Sequence, residues 1–141
     1  MLILGMKEFF SSTDAQKLTH ILFSVSDFHG RKNIVSPNQF LQVSAISLSE
    51  NEEFQAHVHT WKDCKIDRTV AQEAWVVIKG EVKTALFDES EVLVGEASLG
   101  PGDCCITLFG GHKYKASSDA IVYEFKSGPY LGDLLDKRYI E

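Results

Sequence analysis

Glu73-Ala74-Trp75-Val76-Val77-Ile78-Lys79-Gly80 carries the strongest strand signal in the chain. Branched and aromatic residues run together and a glycine closes them, which reads as a β-strand. Toward the C-terminus the signal keeps returning. Residues 81–87 continue as a strand across Gly80, Asp88-Glu89-Ser90-Glu91 makes an acidic hairpin tip, and 92–99 returns. Gly100-Pro101-Gly102-Asp103 has the chemistry of a tight turn. Residues 104–109 form a strand, Gly110-Gly111 a corner, 112–116 a further strand, Ser117-Ser118-Asp119 a turn, and 120–125 the last clear strand.

Toward the N-terminus, residues 61–72 read as a loop, and 54–59 as a strand preceded by a charged turn at 49–53. The alternation over 40–48 predicts another strand. Ser36-Pro37-Asn38 is a break, 27–33 a turn, and the apolar run 20–25 a strand. Residues 6–19 are mixed, with Ser12-Thr13-Asp14 and Gln16 placed to cap a helical turn. Past 125 come turn residues and a short helical stretch at 134–140. Short strands with turns every 8 to 12 residues or so predict an all-β antiparallel barrel or jelly roll. No long amphipathic helix competes.

The length of 141 residues suits one domain with a core of its own. Hydrophobic residues make up 44% and charged residues 24%, the balance of a globular chain. Net charge is −6 and no Lys/Arg stripe occurs, which argues against a nucleic-acid surface. The apolar start, Met1 to Gly5, is too short for a signal core, and no run approaches the ~18 apolar residues of a membrane span. Met6 is a second candidate start. Cys64, Cys104 and Cys105 make an odd count with a vicinal pair, a poor disulfide framework. They read as reduced thiols of a cytoplasmic protein, with Cys64 a candidate thiolate.

His57-Val58-His59 is the candidate chemical centre. On a strand, residues two apart share a face, so both imidazoles point the same way roughly 7 Å apart. Both are then within reach of one metal ion. Glu73 and His112 follow as further candidate donors. His20 and His29 stand beside no such partner and read as structural or surface histidines. Each donor also has a plain reading: exposed histidines at His57 and His59, a solvated carboxylate at Glu73, a turn cap at His112.

Residues 40–125 resemble the cupin superfamily. Its first motif joins His-x-His to a Glu seven residues before a Gly, here His57, His59, Glu73 and Gly80. Its second begins after a Pro-Gly-Asp turn and ends in a His preceded by glycine, here Pro101-Gly102-Asp103 and Gly110-Gly111-His112. The sequence departs from the family in the thirteen residues, 60–72, between His59 and Glu73, a longer connection than usual. It also departs at Thr107, Phe109 and Ala116, where Pro, Gly and Asn are usual. The resemblance implies an antiparallel double-stranded β-helix, the jelly-roll barrel of cupins, as one domain over 1–141. The barrel core would be 40–125, with an N-terminal strand extension 1–39 and a tail 126–141. It implies metal ligation by His57, His59, Glu73 and His112, and a homodimer, with 21–25 the candidate interface strand. The tail, with Gly128-Pro129-Tyr130, looks like that of small bacterial single-domain cupins associated with surface-polysaccharide gene sets.

Three imidazoles and a carboxylate suit a divalent first-row ion such as Fe, Mn, Ni or Zn. Trp61, Arg68, Trp75, Lys113, Tyr114 and Tyr123 are candidate pocket residues, with Trp75 on the same strand face as Glu73. Three functions fit. The first is a metal-dependent enzyme, an oxygenase or isomerase acting on a small polar metabolite. The second is a metal-free sugar-nucleotide isomerase or epimerase, with His59 or His112 as base and Tyr114 or Tyr123 as acid. The third is a non-catalytic module that binds a small ligand or a metal.

Overall fold

The structure is a computed structural model that describes residues 5–25, 30–57, 59–61, 69–129 and 131–140. Among the described residues, ten strands and one short helix follow in order: β1 (Met6–Phe10), β2 (Leu18–Phe23), β3 (Arg31–Asn33), β4 (Ser44–Ile46), β5 (Glu73–Lys79), β6 (Val82–Phe87), β7 (Leu93–Leu99), β8 (Cys104–Thr107), β9 (Gly111–Ala116), β10 (Ile121–Lys126) and α1 (Asp133–Asp136). They form an antiparallel five-stranded sheet in the order β1-β2-β8-β5-β10, a three-stranded sheet β7-β6-β9, and the pair β3-β4.

The five-stranded sheet is apolar on both faces. On one face Leu22, Val77 and Cys105 pack against Val82, Leu86, Ala97 and Leu99 of the three-stranded sheet. On the other, Ile21, Phe23, Ala74, Cys104 and Ile106 pack against Ile34 and Val35, with Leu41, Val43 and Ala45 beside them. That double burial explains why β2 and β8 are buried almost throughout, with neither showing polar alternation. Among the described residues β1 and β10 are edges, and the sheet does not close into a barrel there.

Gly80 is a corner between the two larger sheets, so residues 81–87 do not continue β5. Its φ is +79°, and a Cβ there would lie 2.1 Å from the Asp119 carbonyl oxygen. The sequence expectation also differs at the N-terminus, where β1 is a strand. Only Phe9 of β1 is buried, so no alternation betrays it. The strand expected over 40–48 shrinks to β4, and the turn expected at 27–33 includes β3. The expected strand at 54–59 does not form among its described residues, 54–57 and 59, which pair with nothing. The strand proposed as a dimer interface is interior: β2 lies between β1 and β8, and Ile21 and Leu22 are buried within the chain. No helix among the described residues is long and apolar enough to cross a membrane.

Candidate functional site

Register aligns a polar row at one end of the five-stranded sheet. Lys126 of β10 pairs with Glu73 of β5, Glu73 with Thr107 of β8, and Thr107 with His20 of β2. Paired residues share a face, so the four side chains stand side by side. The next row inward is Glu124, Trp75, Cys105 and Leu22, and beyond it lie Val122 and Val77. The interior between the sheets therefore grades from apolar to charged along the strands. At the charged end the opposite sheet contributes His112 from β9, aligned with Leu86 of β6.

Gly110 sets that approach. Its φ is +89°, and a Cβ would lie 2.2 Å from the Phe87 carbonyl oxygen, so glycine alone fits beside β6. The chain then turns directly into β9. His112 Nε2 lies 3.2 Å from Glu73 Oε1, and His112 Nδ1 lies 2.9 Å from Thr107 Oγ1. Thr107 Oγ1 is in turn 3.2 Å from His20 Nδ1, and His20 Nε2 is 2.8 Å from the Phe87 carbonyl oxygen. Burial drives the His20 pKa down to about 4. Burial pushes the Glu73 carboxyl up, but the hydrogen bond and charge that His112 offers when its ring is protonated, with Lys126 beside it, outweigh this and hold it below its ordinary value.

Glu73, Thr107, Gly110, His112 and Lys126 line a cavity of about 550 Å³, with Trp75, Glu124, Asp136 and Lys137 also on its walls. Trp75 donates its indole N–H to Glu124 at 3.0 Å and stacks on Tyr114 with ring centroids 4.0 Å apart. Lys126 reaches Asp136 of α1 at 3.1 Å, which fixes the tail as one wall. The mixture of charges and one aromatic face suits a small polar molecule.

The other expected site residues lie elsewhere. His57 and His59 are exposed, with rings 5.2 Å apart, and His57 Nδ1–H donates to the Gln55 carbonyl at 2.9 Å. Among the described residues, no three His, Cys, Asp or Glu side chains gather as a metal would need. Trp61 is fully exposed. Tyr123 pairs with Val76, so it faces away from Glu124 and the cavity, and it is exposed. Tyr114 points its hydroxyl into the interior, where burial first, and then the neighbouring Cys105, raise its pKa well above the ordinary value. Arg68 and Cys64 lie outside the described residues, as does His29. Cys104 and Cys105 are free buried thiols whose pKa burial pushes up to about 12, so neither is a poised thiolate.

The sequence reading missed His20, Thr107, Glu124, Lys126, Asp136 and Lys137. His20 carried a signal, since it shares the inward face of β2 with Leu22. No family model, curated protein or solved structure matches the chain.

Proposed function

We propose that the cavity binds a small polar metabolite and that Glu73 and His112 are its chemical centre, as two ligands of a divalent first-row metal in a cupin-like jelly roll. One observation carries this reading: Glu73 Oε1 and His112 Nε2, brought together from two different sheets, stand 3.2 Å apart on the cavity wall. Adjacent ligands on bonds of about 2.1 Å stand about 3.0–3.4 Å apart at a first-row ion. The donor chemistry also fits, since imidazole with carboxylate suits Fe, Mn, Ni or Zn. Two protein donors make a weak site. His57 and His59 are the candidates to complete it, and the hydrogen bond from His57 Nδ1–H leaves its Nε2 lone pair available. A bound ion would supply Lewis-acid polarisation or a site for dioxygen. Trp75, Lys126 and Glu124 would orient the metabolite. The protein would be cytoplasmic and homodimeric, a state that light scattering reads directly.

Elemental analysis of the protein as purified tests the metal. The expected result is close to one first-row ion per chain, lost in His112→Ala and in His57→Ala, with the circular dichroism of the folded chain retained. Full metal content in both variants would end the assignment. No metal after reconstitution with Fe, Mn, Ni and Zn would favour a second reading, for which the same 3.2 Å contact is the evidence. In that reading the Glu73–His112 pair moves protons on a sugar nucleotide or a similar polar substrate without a metal.

A further inference from the structure

The hydrogen bonds beneath His112 have a direction, and it determines which ring nitrogen carries the proton. The Phe87 carbonyl oxygen can only accept, so His20 Nε2, 2.8 Å away, must donate. His20 is fully buried and neutral, so its Nδ1 is a bare acceptor. Thr107 Oγ1 lies 3.2 Å from that nitrogen and has one proton to give. Once the hydroxyl donates to His20, it can only accept from His112 Nδ1, 2.9 Å away on its other side. The Thr107 proton has two acceptors to choose between, and it goes to His20: that nitrogen is fully buried and has Thr107 as its one donor among the described residues, whereas the His112 ring reaches the cavity.

We propose that His20 and Thr107 are positioning residues that hold His112 as its Nδ1–H tautomer, so that Nε2 presents a lone pair to the cavity beside Glu73. A neutral imidazole in water prefers the other tautomer, and the Glu73 carboxylate beside Nε2 would reinforce that preference. The buried relay opposes both. Two acceptors, the Nε2 lone pair and a carboxylate oxygen 3.2 Å away, then repel each other until something cationic or hydrogen-bond donating sits between them. The wall is thereby prepared for a metal ion, a proton or a donor group of the bound metabolite. Neutral His112 can take a proton at Nε2 but has none there to give. This deepens the reading of Glu73 and His112 as the chemical centre, and its test does not depend on a metal.

The test is long-range ¹⁵N–¹H correlation of the histidine rings in the full-length chain, labelled at histidine, stripped with EDTA and recorded from pH 6 to pH 10. The expected spectrum of the neutral His112 ring shows a protonated Nδ1 and a bare Nε2. Thr107→Val keeps the side-chain shape, removes the relay and should switch His112 to the Nε2–H form. Thr107→Ser restores the hydroxyl and should switch it back, a rescue that a purely structural role would not give. An Nε2–H tautomer in the unmodified chain, or an unchanged Nδ1–H tautomer in Thr107→Val, would overturn the proposal. The unmodified chain reports the tautomer by itself, so a variant that fails to fold leaves the test standing. A chain that binds no metal and still shows the Nδ1–H form would remove the metal reading and keep this one.

Discussion

The four expected metal donors divide into two pairs that differ in how the chain holds them. Glu73 and His112 sit on paired strands, and register fixes where each side chain points. His57 and His59 sit on a segment whose described residues pair with no strand, and both are exposed. The rule that residues two apart on a strand share one face covers both regions. It places Trp75 beside Glu73 because β5 is hydrogen-bonded on both sides. It places nothing at 57–59, because without a ladder the period of two has no meaning. A pattern of residues becomes a site only where the backbone that carries it is held.

That contrast predicts a large difference in what each region contributes to stability. Ile106 is fully buried at the centre of the five-stranded sheet. Ile106→Ala should lower unfolding free energy by about 2–5 kcal/mol, the cost of lost transfer energy and the cavity left behind. Urea denaturation with an unchanged m-value checks it. A cost below about 1 kcal/mol would mean that the two cores do not share β8 as described.

A second prediction concerns His20, whose ring ties β2 to the end of β6. Its folded pKa of about 4 lies below the ordinary 6.5, so folding favours the neutral ring. The sign follows: this contribution to stability is intact above pH 6.5 and is lost as pH falls toward 4, where the unfolded chain takes up a proton that the folded one refuses. The loss across that window is about 3 kcal/mol. His20→Gln, compared with the unmodified chain at each pH, should flatten the profile by that amount. Identical slopes would show that His20 is protonated or exposed in the folded chain, and would undercut the relay to His112 as well.

Legibility followed the same division. The run from Glu73 to Phe125 was readable because its turns are chemically marked, by Gly80, Pro101-Gly102 and Gly110-Gly111, and its strands are rich in branched residues. That β5 and β6 belong to different sheets was not readable, because the corner depends on the approach of Gly80 to the Asp119 carbonyl, far away in sequence. Glu73 and His112 stand out by order and spacing, and the structure brings their side chains together. Thr107 and His20 do not stand out, because their role is a lateral alignment across three strands, and register is set by packing that no local pattern carries. Lys126 and Asp136 were missed for the same reason, as they meet only when the tail folds back on β10.

The smallest expected effect bears most directly on the segment that carries His57 and His59. Phe54 lies in the same unpaired segment as His57 and is more than half exposed. Phe54→Ala should change stability by no more than about 0.5 kcal/mol in the metal-free chain, as for a surface side chain away from any packed feature. A cost above ~1.5 kcal/mol would show that the segment docks on the sheets in solution. Docking would bring His57 and His59 within the organised part of the chain. Repeating the measurement with saturating Zn(II) separates the cases, since a ligand that binds only the folded state adds its own stabilisation. If metal ligation by His57 draws the segment down, Phe54→Ala should be nearly silent without zinc and costly with it. If it is silent in both conditions, the segment takes no part, and Glu73 and His112 must find their remaining partners in the metabolite itself.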